Sequence, residues 1–299
     1  MPVRNFTHDK LTPLLDFVES GSSWGEQGRE LGRKTFEQTL GQPGLDLLSH
    51  CFLLEESETV VGYCLVHHEG PISRMVLEPK VAPQYEGTAL EQELILQALT
   101  KAEEHGPGVV HVCVPISSPA ASFLQAQGFT LVRAYDDMVW DLPDLPSVDI
   151  PAGFTVRAFR PGDAAMLTEV QNSAFAVSWG FCPNTVEQIE YRSSMANMPH
   201  DGICFLMDGE RAAGYCWTCL VPVNGSIRGM IGMIGVVPDY RGKGISSSIL
   251  VAGMKALRSQ NVADIGLQVD NANTPGVRLY TSIGFQKVGE LNWLERRLV

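Results

Sequence analysis

The chain repeats itself once. VRNF at 3–6 recurs as VRAF at 156–159, APQYEGTAL at 82–90 as VPDYRGKGI at 237–245, and PAASFLQAQGF at 119–129 as PGVRLYTSIGF at 275–285. The order is kept, and the last two offsets are 155 and 156 residues. A period this long describes two tandem globular units, not a stack of short repeats. Between the copies lies DLPDLPSVDIPAG, residues 141–153, with Pro143, Pro146 and Pro151. Proline fixes φ and removes a donor, so this stretch reads as a linker. The expected division is a first domain over 1–142, a linker over 143–153 and a second domain over 154–299. A length of 299 residues fits two domains.

Both copies carry the same order of elements. Each opens on a short strand, Val3–Phe6 or Phe154–Phe159, and a helix, Asp9–Glu19 or Asp163–Phe175. Apolar and aromatic runs follow as central strands: CFLLEE and VGYCLVHH in the first copy, ICFLMDG and AAGYCWTCLV in the second. A strand ending at a proline then leads through a glycine-containing turn into a long amphipathic helix. These helices are Thr88–Glu104, stopped by Gly106 and Pro107, and Ile245–Gln260. A further strand, VVHVCVP or IGLQV, a short helix ending in Gly-Phe and a final strand close each copy. The expected fold class is α/β (α+β), two tandem domains, each a mixed central sheet flanked by helices.

Charge separates the copies. The chain carries a formal net charge of −12. Residues 1–145 hold 9 Lys and Arg against 21 Asp and Glu, whereas residues 146–299 hold 13 of each. An acidic protein is a poor partner for nucleic acid, so none is expected. No apolar run approaches the roughly 18 residues a membrane span needs, and the N-terminus lacks the apolar core of a secretory signal. Seven cysteines in irregular spacing fit reduced thiols, and the expected location is cytoplasmic. Cys216 and Cys219 form a CxxC, but positions i and i+3 of a strand face opposite ways and nothing completes a zinc site, so no metal is expected. His67 and His68 read as structural. Oligomeric state stays open.

The chemistry concentrates in MIGMIGVVPDYRGKGISSSIL, residues 230–250. An apolar strand runs to Pro238, then a turn with Gly242 and Gly244 opens a helix. Free amides at a helix N-terminus, with the helix dipole, favour phosphate, and Arg241 and Lys243 add positive charge. A Walker A loop is excluded, because Lys243 is followed by Gly244 and Val237 stands where its first glycine belongs. A dinucleotide fingerprint is excluded by Ser247.

Val236-Val237-Pro238-Asp239-Tyr240-Arg241-Gly242-Lys243-Gly244-Ile245 resembles the acetyl-CoA-binding signature of the GNAT superfamily of N-acetyltransferases. Ser246 replaces that signature's final glycine or alanine. Asn273, the short helix carrying Leu279-Tyr280, and Gly284-Phe285 resemble the family's second signature. The resemblance covers most of 154–299, with a degenerate copy over 1–140. The whole resembles tandem members of the mycothiol synthase type.

The resemblance implies acetyl-CoA as cosubstrate, seated where two central strands splay. It implies backbone contacts from Ile234, Gly235 and Val236 to pantetheine. The pyrophosphate would lie on the amides of Arg241, Gly242, Lys243, Gly244, Ile245 and Ser246. Asn273 would hold the strand end or touch pantetheine, and Val236 N–H could polarise the thioester. Gly229, Gly232 and Gly235 would let a ligand approach closely; a bulged strand is the alternative. Tyr280 matches the family's general acid, and a phenol is protonated at neutral pH; an ordinary core tyrosine is the alternative.

No carboxylate lies in residues 229–237 to serve as base. His200, Asp270 and Glu187 are candidates, each also readable as a surface or capping residue, and a water chain or an amine arriving already neutral is equally allowed. Trp179, Phe181 and Tyr191 could wall an acceptor pocket, or simply pack a loop. In the first copy Glu86 stands for Arg241, Ala89 for Gly244, Glu91 for Ser246 and Leu124 for Tyr280. That copy is expected to be a scaffold without cosubstrate. The expected function is acetyl-CoA-dependent transfer to a primary amine, on a small molecule or a peptide, by direct attack. The alternative is an acyl-CoA-binding sensor or structural module without transfer.

Overall fold

The computed structural model describes residues 3–106 and 108–298. The first half contains β1 (Val3–Asn5), α1 (Leu11–Ser20), α2 (Gly25–Leu40), α3 (Leu47–His50), β2 (Cys51–Glu56) and β3 (Thr59–Glu69). It continues with β4 (Arg74–Val81), α4 (Ala89–Glu104), β5 (Val109–Pro115), α5 (Ala120–Ala126) and β6 (Thr130–Trp140). The second half contains β7 (Phe154–Ala158), α6 (Ala164–Phe175), α7 (Val186–Ser193), β8 (Ile203–Asp208) and β9 (Arg211–Val223). It continues with β10 (Ser226–Val236), α8 (Ser246–Arg258), β11 (Ile265–Asp270), α9 (Thr274–Ile283) and β12 (Gln286–Arg297). Of the two residues expected to stop α4, Gly106 follows it with φ +60°, and Pro107 lies outside the described residues.

The strands form one mixed sheet of twelve, in the order β1-β2-β3-β4-β5-β12-β6-β11-β10-β9-β8-β7. The closing strands are exchanged, which corrects the expectation that each closes its own half. β6 runs antiparallel to β11, from Ile265 opposite Trp140 to Asp270 opposite Tyr135. β12 runs antiparallel to β5, from Leu291 opposite Pro115 to Arg297 opposite Val109. The two closing strands also pair with each other. Their apolar residues follow the exchange: Met138 and Trp140 pack in the core of the second half, and Leu294 packs in that of the first. The exchange leaves neither β5 nor β11 as an unpaired edge.

Helix α1 buries Leu14, Leu15 and Phe17, a face with helical spacing. α8 buries Ile249, Leu250, Met254 and Leu257. Gly253 lets α8 lie close on β9, because a Cβ there would stand 2.3 Å from Cys216 Sγ. The 141–153 segment runs along this helix: Ser248 Oγ donates to the Asp149 carbonyl at 2.9 Å, and Arg258 Nη2 to that of Pro143 at 3.0 Å.

Three helices have no counterpart in the sequence reading: α2, the four-residue α3 and α7. α2, GEQGRELGRKTFEQTL, carries three glycines. They are packing residues: a Cβ at Gly28 would lie 2.3 Å from Pro222 Cβ on β9, and one at Gly32 would meet the Trp24 ring at 2.5 Å. α7 does announce itself, through a capping box in which Thr185 and Gln188 serve each other's backbone amides.

Candidate active site

The sheet opens where β10 and β11 part. Their parallel pairing covers Gly229–Ile231 against Ile265–Leu267 and goes no further. On the other edge β10 stays paired with β9 through Val236, with a register shift between Ile231 and Met233 that leaves Gly232 as the extra residue. A bulge bends and twists its strand. Beyond it, the edge of Met233–Val236 facing β11 lines a cavity of about 920 Å³.

Gly232 and Gly235 line the cavity and Gly229 does not. A Cβ on Gly235 would strike Ala174 Cβ at 2.8 Å and Phe175 at 2.9 Å, and one on Gly229 would strike Leu257 at 2.9 Å. These two glycines let α6 and α8 press onto the sheet.

The loop after β10 starts as a 3-10 turn, Pro238–Tyr240. Tyr240 is buried, and its hydroxyl donates to Asp208 Oδ2 at 2.9 Å. Lys243 Nζ lies 4.5 Å from the Tyr240 ring centroid, a cation–π contact. Arg241 is turned inward: Nη2 donates to the Ala174 carbonyl at 2.6 Å and Nε to that of Val236 at 3.2 Å. Its side chain thus ties the loop to α6 and to the end of β10.

Gly242 and Gly244 take φ of +76° and +72°, a left-handed region where a side chain is strained. A Cβ on either would meet no described heavy atom within 4 Å. Ile245 is buried and precedes α8, and among the described residues no side chain caps that helix. Its first amides, including that of Ser246, are therefore free of a capping side chain beside open space. Such a cradle fits a pyrophosphate. Arg241, Gly242 and Ser246 line the cavity.

Asn273 and Tyr280 line it as well. Asn273 Oδ1 accepts the Gly276 amide at 3.2 Å, and its own amide donates to the Asp270 carbonyl at 2.9 Å. It therefore caps α9 and holds the strand end. Tyr280 is 8 % exposed and packs edge-on to Phe285 at 5.9 Å. Burial, with Cys216 beside it, pushes its phenol far above the ordinary value. Tyr280 is thus a protonated donor throughout the physiological range.

Trp179 and Phe181 face the cavity; Tyr191 is not among its lining residues. The Tyr191 hydroxyl instead donates to the Gln38 carbonyl at 2.7 Å, fastening α7 to α2. This corrects its assignment to the acceptor wall. His200 is 87 % exposed and paired with Asp201. Glu187 lies in the exposed first turn of α7. Asp270 does line the cavity; Oδ1 accepts the Ala272 amide at 2.9 Å, and Oδ2 stands 3.5 Å from Arg133 Nε.

Arg133 and Tyr135 complete the wall, and the sequence reading missed both. They lie on β6, part of the first half by sequence, and only the strand exchange brings them beside β11. Burial, reinforced by Asp270, raises the Tyr135 phenol. Among the described residues, no group of three His, Cys, Asp or Glu is placed to hold a metal, and no helix is long and apolar enough to cross a membrane.

Residues 164–285 match the model of the acetyltransferase (GNAT) family. The chain is 31 % identical over 242 residues to a mycothiol acetyltransferase of Acidimicrobium ferrooxidans, covering 77 % of this chain and 76 % of that one. It is 31 % identical over 173 residues to a mycothiol acetyltransferase of Thermomonospora curvata, covering 57 % of each. A solved tandem GNAT protein from the clavulanic acid biosynthesis pathway shares the fold, with a TM-score of 0.72, 16 % identity, and coverage of 99 % of this chain and 97 % of that one. The chain belongs to the GNAT acetyltransferase family and is a tandem N-acetyltransferase.

Proposed function

We propose that the chain moves an acetyl group from acetyl-CoA to the primary amine of a small molecule, in the cleft of the second half. The observation that carries this reading is the meeting, in one cavity, of the phosphate-type cradle at Gly242–Ser246, the unpaired edge of β10 and the buried phenol of Tyr280. The amides of Arg241–Ser246 would hold the pyrophosphate, and backbone groups of Ile234, Gly235 and Val236 would pair with pantetheine as a further strand. Val236 N–H would polarise the thioester carbonyl.

The amine nitrogen attacks that carbonyl, the C–N bond forms and the C–S bond breaks. Tyr280 donates to the sulfur as charge develops there, and the proton lost by the amine balances the one gained by the thiol. Asp270 is the carboxylate lining the cavity that could receive that proton. Arg133, Tyr135, Trp179 and Phe181 would wall the acceptor. The first half, 1–142, would be a scaffold without cosubstrate, joined through 143–153 to the domain over 154–299, and the cytoplasm would be the place of action.

The relatives' name makes mycothiol lacking its acetyl group the first acceptor to try, beside a panel of primary amines. Incubation with acetyl-CoA should release free CoA and add 42 Da to one amine by mass spectrometry, the change of about one acetyl for one hydrogen. Binding of acetyl-CoA with no CoA release for any amine would instead favour a sensor without transfer.

A further inference from the structure

The loop that joins α6 to α7 is held by two different parts of the molecule. Its base is fastened within the second half. Asn172 Nδ2 donates to the Asn184 carbonyl at 3.0 Å, and the Asn184 amide returns to Asn172 Oδ1 at 2.9 Å. Phe181 stacks on Phe175 at 5.4 Å.

Its tip is fastened by the first half together with the exchanged strand β12. Arg74, at the start of β4 and 6 % exposed, ion-pairs through Nε with Glu69. Arg74 Nη2 donates to the Gly180 carbonyl at 2.6 Å. Trp179 packs edge-on to His111 of β5 at 5.2 Å and to Trp293 of β12 at 5.9 Å, with the Arg133 guanidinium 5.4 Å from its ring. His111 is itself fixed by Glu295 Oε2 at 3.0 Å. Between these anchors Val177 stands 87 % exposed while lining the cavity.

We propose that Arg74 and His111 are positioning residues for the amine acceptor: the first half sets acceptor affinity by fixing Trp179 and Gly180 against the cleft, without touching the cosubstrate. This rests on the acetyl-transfer reading above, with the 177–181 loop as acceptor wall. The guanidinium fork suits the task, because it serves the Glu69 carboxylate and the Gly180 carbonyl together. A lysine is a point charge with no such fork. Gly180 is matched to it, with φ +66° and an added Cβ 2.5 Å from Arg74 Nη1.

Three variants test this. Arg74→Lys keeps a cation for Glu69 but gives up the reach to Gly180. Gly180→Ala strains the same link from the loop side, through its positive φ and its contact with Arg74. The double variant reads their coupling. Each is measured for thermal midpoint, acetyl-CoA affinity by calorimetry, KM and kcat for mycothiol lacking its acetyl group, and acrylamide quenching of Trp179 with Trp179→Phe as the blank.

Each single variant should stay folded, with its midpoint lowered by only about a few degrees, and bind acetyl-CoA within about twofold of the parent. Each should raise the amine KM by about tenfold, as for loss of one charged hydrogen bond, and leave Trp179 more open to quenching. The double variant should be no worse than either single, because both break one link. Unchanged quenching would overturn the anchoring, and an amine KM within twofold of the parent would overturn the acceptor role. A matching loss of acetyl-CoA affinity would also overturn the proposal. If the parent itself turns over no amine, the acetyl-transfer reading falls and this proposal with it; normal parent turnover with an unmoved KM sinks this proposal alone.

Discussion

In the first half, Oε2 of Glu91 accepts a hydrogen bond from the Gly87 amide at 2.6 Å. Gly87 takes φ +73°, close to the +76° of Gly242 at the repeated turn, and Glu91 stands where the repeat places Ser246. Glu91 is 8 % exposed, and burial, opposed by the Gly87 bond and helped by Glu86, raises its carboxyl. The turn of the first half thus carries its own carboxyl on an amide that would otherwise be available to phosphate. Installing the same feature in the second half should close that site. Ser246→Glu is expected to fold normally and lose acetyl-CoA affinity by about a hundredfold or more, through a carboxylate set beside phosphate. Calorimetry measures it; affinity within threefold of the parent would show that the cosubstrate does not use this turn.

Tyr280→Phe should lower kcat by about 10²- to 10⁴-fold, the usual worth of a general acid. Acetyl-CoA affinity should stay within about twofold. The upward shift of the phenol has a signed consequence. A raised pKa keeps the proton on to higher pH, so kcat should show no alkaline fall before about pH 10, the ordinary tyrosine value. A fall between pH 8 and 9 that vanishes in Tyr280→Phe would contradict the upward shift, and an unchanged kcat in Tyr280→Phe would remove it as the acid.

Gly235 and Gly244 should fail in different ways. Gly235→Ala drives a methyl into Ala174 and Phe175 and should cost about 1–3 kcal/mol of stability by urea unfolding, as overpacking does. Gly244→Ala meets open space but must hold φ +72°, a strain of about 1–2 kcal/mol. If the loop relaxes to escape that strain, acetyl-CoA binding weakens while the core stays intact. A loss of stability in Gly244→Ala as large as that in Gly235→Ala would argue against separate packing and cradle roles.

Acid should weaken the fold through buried imidazoles. Burial lowers the pKa of both His50 and His111 below the ordinary histidine value; His105 adds to this at His50, and the Glu295 bond opposes it at His111. The unfolded chain therefore binds more protons in the window below about pH 6.5. Stability is present above that value and falls as pH drops toward the folded-state pKa values. The thermal midpoint should decline from pH 7.5 to 5.5, and His50→Gln should flatten the decline. An unchanged slope in that variant would remove His50 from the account.

Much of this was legible in the sequence. The offset repeat marks two halves with the same element order, because each element is written by local patterning and by glycine and proline punctuation. The Gly242–Ser246 turn and Tyr280 could be read because their residue types are tied to backbone conformation and to a motif. The strand exchange could not be read: β6 and β12 have the same pattern whether they close their own half or the other. Arg133 and Tyr135 were hidden with it. Gly229 looks like a ligand-facing glycine in a strand, and only its packing against Leu257 shows otherwise, while Gly235 meets α6 as well as the cavity. Tyr191 comes soon after Trp179 and Phe181 in the sequence, yet its hydroxyl is spent on Gln38. Helix α2 was lost because its glycines serve contacts with Trp24 and Pro222 that local sequence does not reveal.

The most direct test is calorimetric titration of the purified chain with acetyl-CoA, read for stoichiometry and repeated on Ser246→Glu. The account predicts one site per chain, abolished by that substitution. Two sites per chain, or one site that survives Ser246→Glu, would contradict it.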